Sequence, residues 1–260
     1  MNRLTRSPYL MTMKLKVKEE KWFEADFAMS FVVAFVDAVI YYLLFHYVFE
    51  DSTVVNPTDI TIYYIIINIV ALAMTPAQFT SWIHMTDINT GKIIPFLMRP
   101  SSYVVTRYLE SVCTFFMRTV VNIILIYLVS LVLGKPIILL NLLLGVGSML
   151  AGFTILYLIQ AIIGCMAVWF QEVNKIRNVF MTFLMMLGGR LIPSDLLFSG
   201  LKEIVYYTPI PYVYDIPVKV LTDNFQYTEI GIQLMWIALL GAIYIFEFEK
   251  YVKHNIELGG

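Results

Sequence analysis

The sequence predicts an all-α, polytopic membrane protein. Six transmembrane helices are expected, with an N-terminal interfacial helix and a re-entrant outer helical hairpin between spans five and six. Three observations carry this expectation. The 260 residues are 59% hydrophobic and only 14% charged, where soluble domains carry nearer a quarter charged, and the mean hydropathy is +0.75. Several apolar runs reach the ~20 residues needed to cross a bilayer. Basic residues gather in alternate connecting segments, as the positive-inside rule describes. The chain reads as one transmembrane domain: 1–25 a cytoplasmic interfacial helix, 26–249 the six-span bundle, 250–260 a cytoplasmic tail.

Residues 1–25 carry Arg3, Arg6, Lys14, Lys16, Lys18 and Lys21 among Tyr9, Leu10, Met11, Met13, Leu15, Val17, Trp22 and Phe23. The interleaving is too poor in apolar residues to cross. It fits a helix lying on an anionic membrane face, with Trp22 and Phe23 where an aromatic belt forms. The alternative is a basic tail that only sets topology. No short apolar core of a signal peptide precedes Phe27, so 27–49 reads as an uncleaved first span.

Glu50, Asp51, Asn56 and Pro57 make an acidic turn before span two, 60–83. Thr75-Pro76 should kink that span, because proline removes a backbone donor. A polar knuckle, 85–107, follows, broken by Gly91, Pro95 and Pro100. Span three covers 104–133, and Gly134-Lys135-Pro136 turns the chain into span four, 137–169. Gly145, Gly147, Gly152 and Gly164 are expected to let neighbouring helices approach span four. The polar loop 171–177 leads to span five, 179–192, which is short for a crossing. Residues 193–226 hold Pro193, Pro209, Pro211 and Pro217 between Leu196, Leu197, Phe198, Leu201, Ile204 and Val205. They are too apolar for a solvent loop and too broken for a straight span. A hairpin dipping into the outer leaflet fits, provided protein or water satisfies its backbone. Span six covers 230–248.

Placing the N-terminus inside puts Arg3, Arg6, Lys14, Lys16, Lys18, Lys21, Lys92, Arg99, Arg107, Lys175, Arg177, Lys250 and Lys253 in inner segments. Only Lys135, Arg190, Lys202 and Lys219 then face outward. The knuckle and both termini are therefore expected to be cytoplasmic, in a multi-pass protein of the cytoplasmic membrane.

Composition also limits the chemistry. A net charge of -1 leaves no basic footprint for nucleic acid. Cys113 and Cys165 lie in apolar runs, so neither a disulfide framework nor a thiolate metal site is expected. His46, His84 and His254 are far apart, and H-E-x-x-H, G-x-S-x-G and zinc spacings are absent. Gly91-Lys92 lacks the rest of a phosphate-binding G-x-x-x-x-G-K-[ST] loop. No catalytic or metal site is expected in this chain, and ATP, if used, belongs to another.

Two charges fall inside spans. Asp37 lies mid-way along span one and Arg118 about fourteen residues into span three, at similar depths. Each costs roughly 2.5–3.5 kcal/mol at a bilayer centre. A structural ion pair and a polar element of a transport pathway both account for them. His46, among Tyr41, Tyr42, Phe45 and Tyr47, reads as part of an aromatic belt or as a substrate contact. Asn68, Asn122 and Gln160 read as interhelical hydrogen-bond partners.

Two motifs resemble those of the permease subunits of type-2 ABC exporters. Asp87-Ile88-Asn89-Thr90-Gly91-Lys92-Ile93-Ile94-Pro95-Phe96-Leu97-Met98-Arg99-Pro100 is similar to that family's acidic–x–x–x–Gly, Leu-rich, then Pro pattern. Its Leu-x-Arg-Pro ending looks closest to a bacterial branch of roughly 260-residue permeases. Gly188-Gly189-Arg190-Leu191-Ile192-Pro193, then Leu196-Leu197 and Tyr206-Tyr207-Thr208-Pro209-Ile210-Pro211-Tyr212, resembles the family's small–x–x–x–Pro, Leu-rich, aromatic–x–Pro–x–x–Tyr run.

The resemblance implies a second permease subunit, identical or homologous, and two ABC ATPase subunits that carry the ATP and Mg. It implies an ATPase-docking turn at Gly91, Ile94, Pro95, Phe96, Leu97, Met98 and Arg99. Pro193, Leu196, Leu197, Pro209, Pro211 and Tyr212 would form the outer gate. Substrates of such exporters range from drugs and antibiotic peptides to lipids and glycans, and an apolar pathway with few charges favours a hydrophobic or amphipathic one here. Lys92 and Pro95 depart from the pattern and should shorten the docking helix to one or two turns from Ile94, since proline is tolerated only in the first turn. Two other classes compete. A secondary transporter would use Asp37 for ion coupling and show internal repeats. An intramembrane lipid-modifying enzyme would cluster His, Glu or Asp at one depth.

Overall fold

The computed structural model describes residues 8–20, 57–98, 102–132 and 137–257, with the single positions Val32, Val36, Val39, Ile40, Leu43 and Tyr47. Among these residues all regular structure is helical. Three helical stretches are long and apolar enough to cross a membrane: Tyr103–Leu128, Leu139–Val168 and Tyr227–Lys253. A fourth crossing is available if the bent pair Asp59–Ala73 and Thr75–Asn89 counts as one.

Helix α1 (Pro8–Glu20) lies against α6 (Tyr103–Val132). Helices α2 (Pro57–Ala73), α3 (Thr75–Gln78) and α4 (Thr80–Asn89) form the bent pair. The 60° bend falls at Thr75-Pro76, the expected kink. Pro76 opens α3, and the Thr75 hydroxyl donates to the Leu72 carbonyl at 2.8 Å. Span two was expected to end at 83, but α4 continues to Asn89. Its polar end stays helical because Asp87 is buried against partners on α6 rather than solvated.

The single-turn α5 (Ile94–Leu97) precedes α6, whose 30 residues reach about 45 Å. Helix α7 (Leu139–Cys165) ends in a 3-10 turn, Met166–Val168. Helix α8 (Asn174–Leu187) has only 14 residues and starts five residues before the expected span. It stops at Gly188 because Gly189 takes φ +89°. A 3-10 turn (Ser194–Leu196), α9 (Ser199–Tyr206) and α10 (Pro211–Leu221) follow. Helix α11 (Tyr227–Glu247) runs on through a π-helical stretch, Phe248–Lys253, into the last turn, α12 (His254–Glu257).

The core forms around α10, in which every residue is buried. It packs on α7 and α2. Close approach to α7 depends on missing side chains. A Cβ on Gly152 would stand 2.5 Å from the Val213 carbonyl oxygen, and one on Gly145 would overlap Leu221. Pro217 offers no N–H to Val213, so that carbonyl is free to lie against Gly152. Gly164 does the same for α4, where a Cβ would meet His84 Cβ at 2.6 Å. Gln233 of α11 completes the joint. Its amide donates to the carbonyls of Tyr212 at 2.9 Å and Ser148 at 3.3 Å, and it accepts from Ser148 Oγ at 2.9 Å.

Gly152→Val should therefore overpack the α7–α10 contact, at a cost of about 1–3 kcal/mol, and lower the melting temperature in detergent. Gly147 meets nothing within 4 Å, so Gly147→Ala should melt at or above the parent temperature.

Candidate functional site

Polar groups gather at two places, one under the knuckle and one around α10. At the first, Asp87 ends α4 with its carboxylate buried. It accepts from the Tyr103 hydroxyl at 2.9 Å and from Arg107 Nη2 at 2.6 Å. Arg107 Nη1 donates to Glu110 at 2.8 Å. The guanidinium lies 5.0 Å from the Phe96 ring centre, so the knuckle rests on the same cation by a cation–π contact. The Tyr103 ring stacks on Phe248 at 5.3 Å and meets His84 edge-on at 5.4 Å.

His84 spans the Thr80 carbonyl at 2.9 Å and the Tyr244 hydroxyl at 2.7 Å. A carbonyl only accepts, so Nδ1 carries the proton and Tyr244 donates to Nε2. Helices α4, α5, α6 and α11 thus meet in one hydrogen-bonded and aromatic cluster.

The knuckle is shaped by Gly91, whose φ of +69° suits a residue without Cβ at the end of a helix. Ile93 then turns inward and is fully buried, while Ile94 is 48% and Met98 83% exposed. Pro95 is exposed as well, whereas Phe96 and Leu97 are half-buried against the core. Of the expected docking residues, Ile94, Pro95 and Met98 therefore form the outward surface. Gly91, Phe96 and Leu97 form its support. Arg99, Asp37 and His46 lie outside the described residues. Arg118 is described and half-buried on α6. Next to the knuckle, Asn89 Nδ2 donates to the Gln171 carbonyl at 2.8 Å, which ties α4 to the α7–α8 connection.

The second cluster joins α2, α10 and the turn after α8. Asp215, with no exposed surface, accepts from Tyr63 at 2.5 Å and Ser194 at 2.6 Å. Lys219 Nζ stands 3.2 Å from Asp215 and 3.0 Å from Asp195, and donates to Ser194 Oγ at 2.7 Å. Lys202 adds a second contact to Asp195 at 2.9 Å.

A lysine that activates a serine must be neutral. Here its nitrogen faces two carboxylates while Ser194 donates to one of them, so the pair fastens the turn to α10. The small–x–x–x–Pro motif has a physical basis at the same place. A Cβ on Gly189 would stand 2.8 Å from Asp215 Cβ, so only glycine fits between Asp215 and Tyr63.

The expected gate residues surround this cluster without entering it. Pro193, Pro211 and Tyr212 are buried, and Leu197 and Pro209 are half-buried. Leu196 lies in the 3-10 turn. The Tyr212 hydroxyl donates to the Tyr206 carbonyl at 3.0 Å. Asp87 and Arg107 were named from sequence, as a motif residue and a topology marker, but not as partners, and Asp215 and Ser194 of the second cluster were not named. Asp215 and Lys219 carried a usable signal: opposite charges at i, i+4 within an apolar, proline-broken segment. No family model matches this chain, and no curated protein matches it.

Asp87→Ala leaves the half-buried Arg107 with one partner fewer. Breaking such a pair costs about 3–5 kcal/mol in a buried site, and the effect should lie at the lower end because Arg107 retains Glu110. Tyr103→Phe should cost about 1 kcal/mol. Thermal unfolding in detergent reads both. At the second cluster, Lys219→Met strands the Asp215 carboxylate. The double variant Asp215→Asn/Lys219→Met removes both charges and should melt at a higher temperature than Lys219→Met alone.

Proposed function

We propose that this chain is the transmembrane permease subunit of an ATP-driven type-2 ABC exporter. It moves a hydrophobic or amphipathic cargo, of the drug, antibiotic-peptide, lipid or glycan class, out across the cytoplasmic membrane. A separate ABC ATPase subunit binds ATP and Mg and drives it, so this chain is a non-catalytic partner. Six spans with both termini cytoplasmic complete the topology. Span one covers 27–49, α2–α4 make the second crossing, and α8 with the α9–α10 hairpin makes an incomplete fifth that re-enters the outer leaflet.

The observation that carries the reading is the knuckle. A one-turn helix, α5, presents Ile94, Pro95 and Met98 outward, and its other side is fastened to three long helical segments. Phe96 rests on Arg107, Arg107 joins Asp87 of α4, and Tyr103 of α6 stacks on Phe248 at the end of α11. A push on this turn is passed to the bundle rather than absorbed by a loop. That is what a contact coupling a soluble ATPase to a membrane subunit requires.

The second permease subunit has open faces available to it. Ile176, Val179, Phe183 and Met186 form an exposed apolar stripe on α8. Val32, Val36, Ile40, Leu43 and Tyr47 are helical, exposed and spaced for one helix face.

The outward knuckle residues give the test. In the tagged chain purified from its own membranes, a Walker-motif ATPase should co-purify. Ile94→Asp and Met98→Asp should each reduce that ATPase at least tenfold while membrane insertion and melting temperature stay unchanged. Phe96→Ala should instead lower the melting temperature. A chain that brings down no ATPase, or one whose ATPase survives both aspartate variants, would overturn the reading.

A further inference from the structure

The 60° bend between α2 and α4 is not fixed by its own backbone. Pro76 offers no N–H to the Leu72 carbonyl, and the Thr75 hydroxyl takes that place. Helix α3 is only four residues long. The Ala77 N–H turns back to Met74 at 3.1 Å, the tighter spacing of a 3-10 turn. The Thr80 hydroxyl reaches the Pro76 carbonyl at 3.4 Å. Side-chain hydroxyls and short-range bonds of this kind make a kink but leave its angle soft.

Apolar packing does not fix the angle either. Met74 and Ala77 are buried, but apolar attraction has no direction, so these contacts survive small rotations. Phe79, on another side of the joint, is 52% exposed. A cavity of about 220 Å3 separates the joint from α6, with Thr75, Pro76 and Phe79 on one wall and Glu110 and Ser111 on the other. A change of angle therefore has room.

Among the described residues, one hydrogen bond runs from residues 74–80 to another helix. Gln78 Nε2 donates to the Tyr214 hydroxyl at 3.0 Å. Tyr214 belongs to α10 and has no exposed surface. The next residue, Asp215, accepts from Tyr63 of α2. Consecutive residues of one fully buried helix thus hold the bent pair at two places, the α2 arm and the joint. The α4 arm is bound to other helices, through His84 to Tyr244 of α11 and through Asp87 to Arg107 of α6. The two arms have different anchors, and the joint between them has a single directional one.

We propose that the Gln78–Tyr214 hydrogen bond is a latch that sets the angle of the bent pair, and that opening it lets the joint move into the cavity beside α6. The ten residues of α4 reach ~15 Å, so a change of ~20° moves the far end by about 5 Å. The latch lies wholly within this chain, so it stands or falls separately from the ATPase contact.

The test uses the purified full chain in detergent, with spin labels at Leu139→Cys and Thr90→Cys. Both positions are exposed, at opposite ends of the α4–α7 pair, and double electron–electron resonance reads the distance between them. Cys113 and Cys165 are buried, and a sample without the two introduced cysteines sets the background. Gln78→Leu and Tyr214→Phe should each raise, at least threefold, the share of molecules displaced by about 3 Å or more. The double variant should match either single one, because both remove the same bond. Tyr108→Phe, which removes the hydrogen bond from α6 to Thr154 of α7, should leave the distances as in the parent.

Unchanged distances in both latch variants would overturn the proposal, even with a lowered melting temperature, since the bond would then stabilise without setting the angle. A double variant displaced further than either single one would show that the two side chains act independently, and would overturn it. The same displacement in Tyr108→Phe would mark a general loosening of the bundle and overturn it too.

Discussion

The Asp87 carboxylate, buried at the end of α4, is the constraint on which the knuckle end of the structure depends. A buried carboxylate costs several kcal/mol unless it is paired and hydrogen-bonded. Asp87 meets that condition only when Tyr103 and Arg107 arrive from α6 together. Their arrival fixes the register of α6 against α4. It also places the guanidinium under Phe96 and the Tyr103 ring against Phe248. The knuckle therefore has a defined shape although it contains only one helical turn. A turn that short has little stability of its own, since helix nucleation is unfavourable and helices gain most from packing. Its shape is lent by the charge pair beneath it.

The α10 end follows the same logic with a different centre. Helix α10 has no exposed face, so its polar side chains had to find partners within the protein. Asp215 takes Tyr63, Ser194 and Lys219, and Lys219 reaches on to Asp195. Enclosure on the α7 side depends on Gly145 and Gly152, which let the backbones come together. Tyr64 donates to the Leu191 carbonyl at 2.6 Å, so two adjacent tyrosines of α2 hold the turn that leads into this buried segment. The two clusters lie at opposite ends of the bent pair, with Tyr63 at one end and Asp87 at the other. A change in the bend at Thr75-Pro76 would be felt at both. A cavity lined by Pro76 and Phe79 of the bent pair and by Arg107 and Glu110 of α6 opens at that same bend.

Much of this was legible in the chain. The kink at Thr75-Pro76 followed from proline chemistry. The close approaches to span four followed from its glycines, and three of the four named residues serve them. The start of the knuckle helix at Ile94 and its shortness followed from Pro95. Other features were hidden. Phe96 and Leu97 stand with Met98 among the residues that the resemblance assigned to the docking turn. The structure turns them inward, since Arg107 offers Phe96 a partner that no local pattern reveals. Span five was drawn over apolar residues 179–192, yet the helix begins at the polar Asn174 and ends at a glycine pair. Helix limits there follow backbone conformation rather than hydropathy.

What the sequence determined by itself is the class of molecule. Composition and run length require a helical protein of the membrane, because only helices and closed barrels satisfy their backbone in lipid. Local chemistry marked where the helices bend and where they stop. Tertiary structure decided which charges meet. Asp87 and Arg107 are twenty residues apart, and Tyr63 and Asp215 are 152 apart. Pairing at such distances is set by how whole helices pack, and no window of the chain carries that information. The same holds for the cavity against α6. Its polar stripe can be read from the spacing of Arg107, Glu110, Thr114 and Arg118, but a stripe becomes a cavity only when a bent neighbour leaves room in front of it.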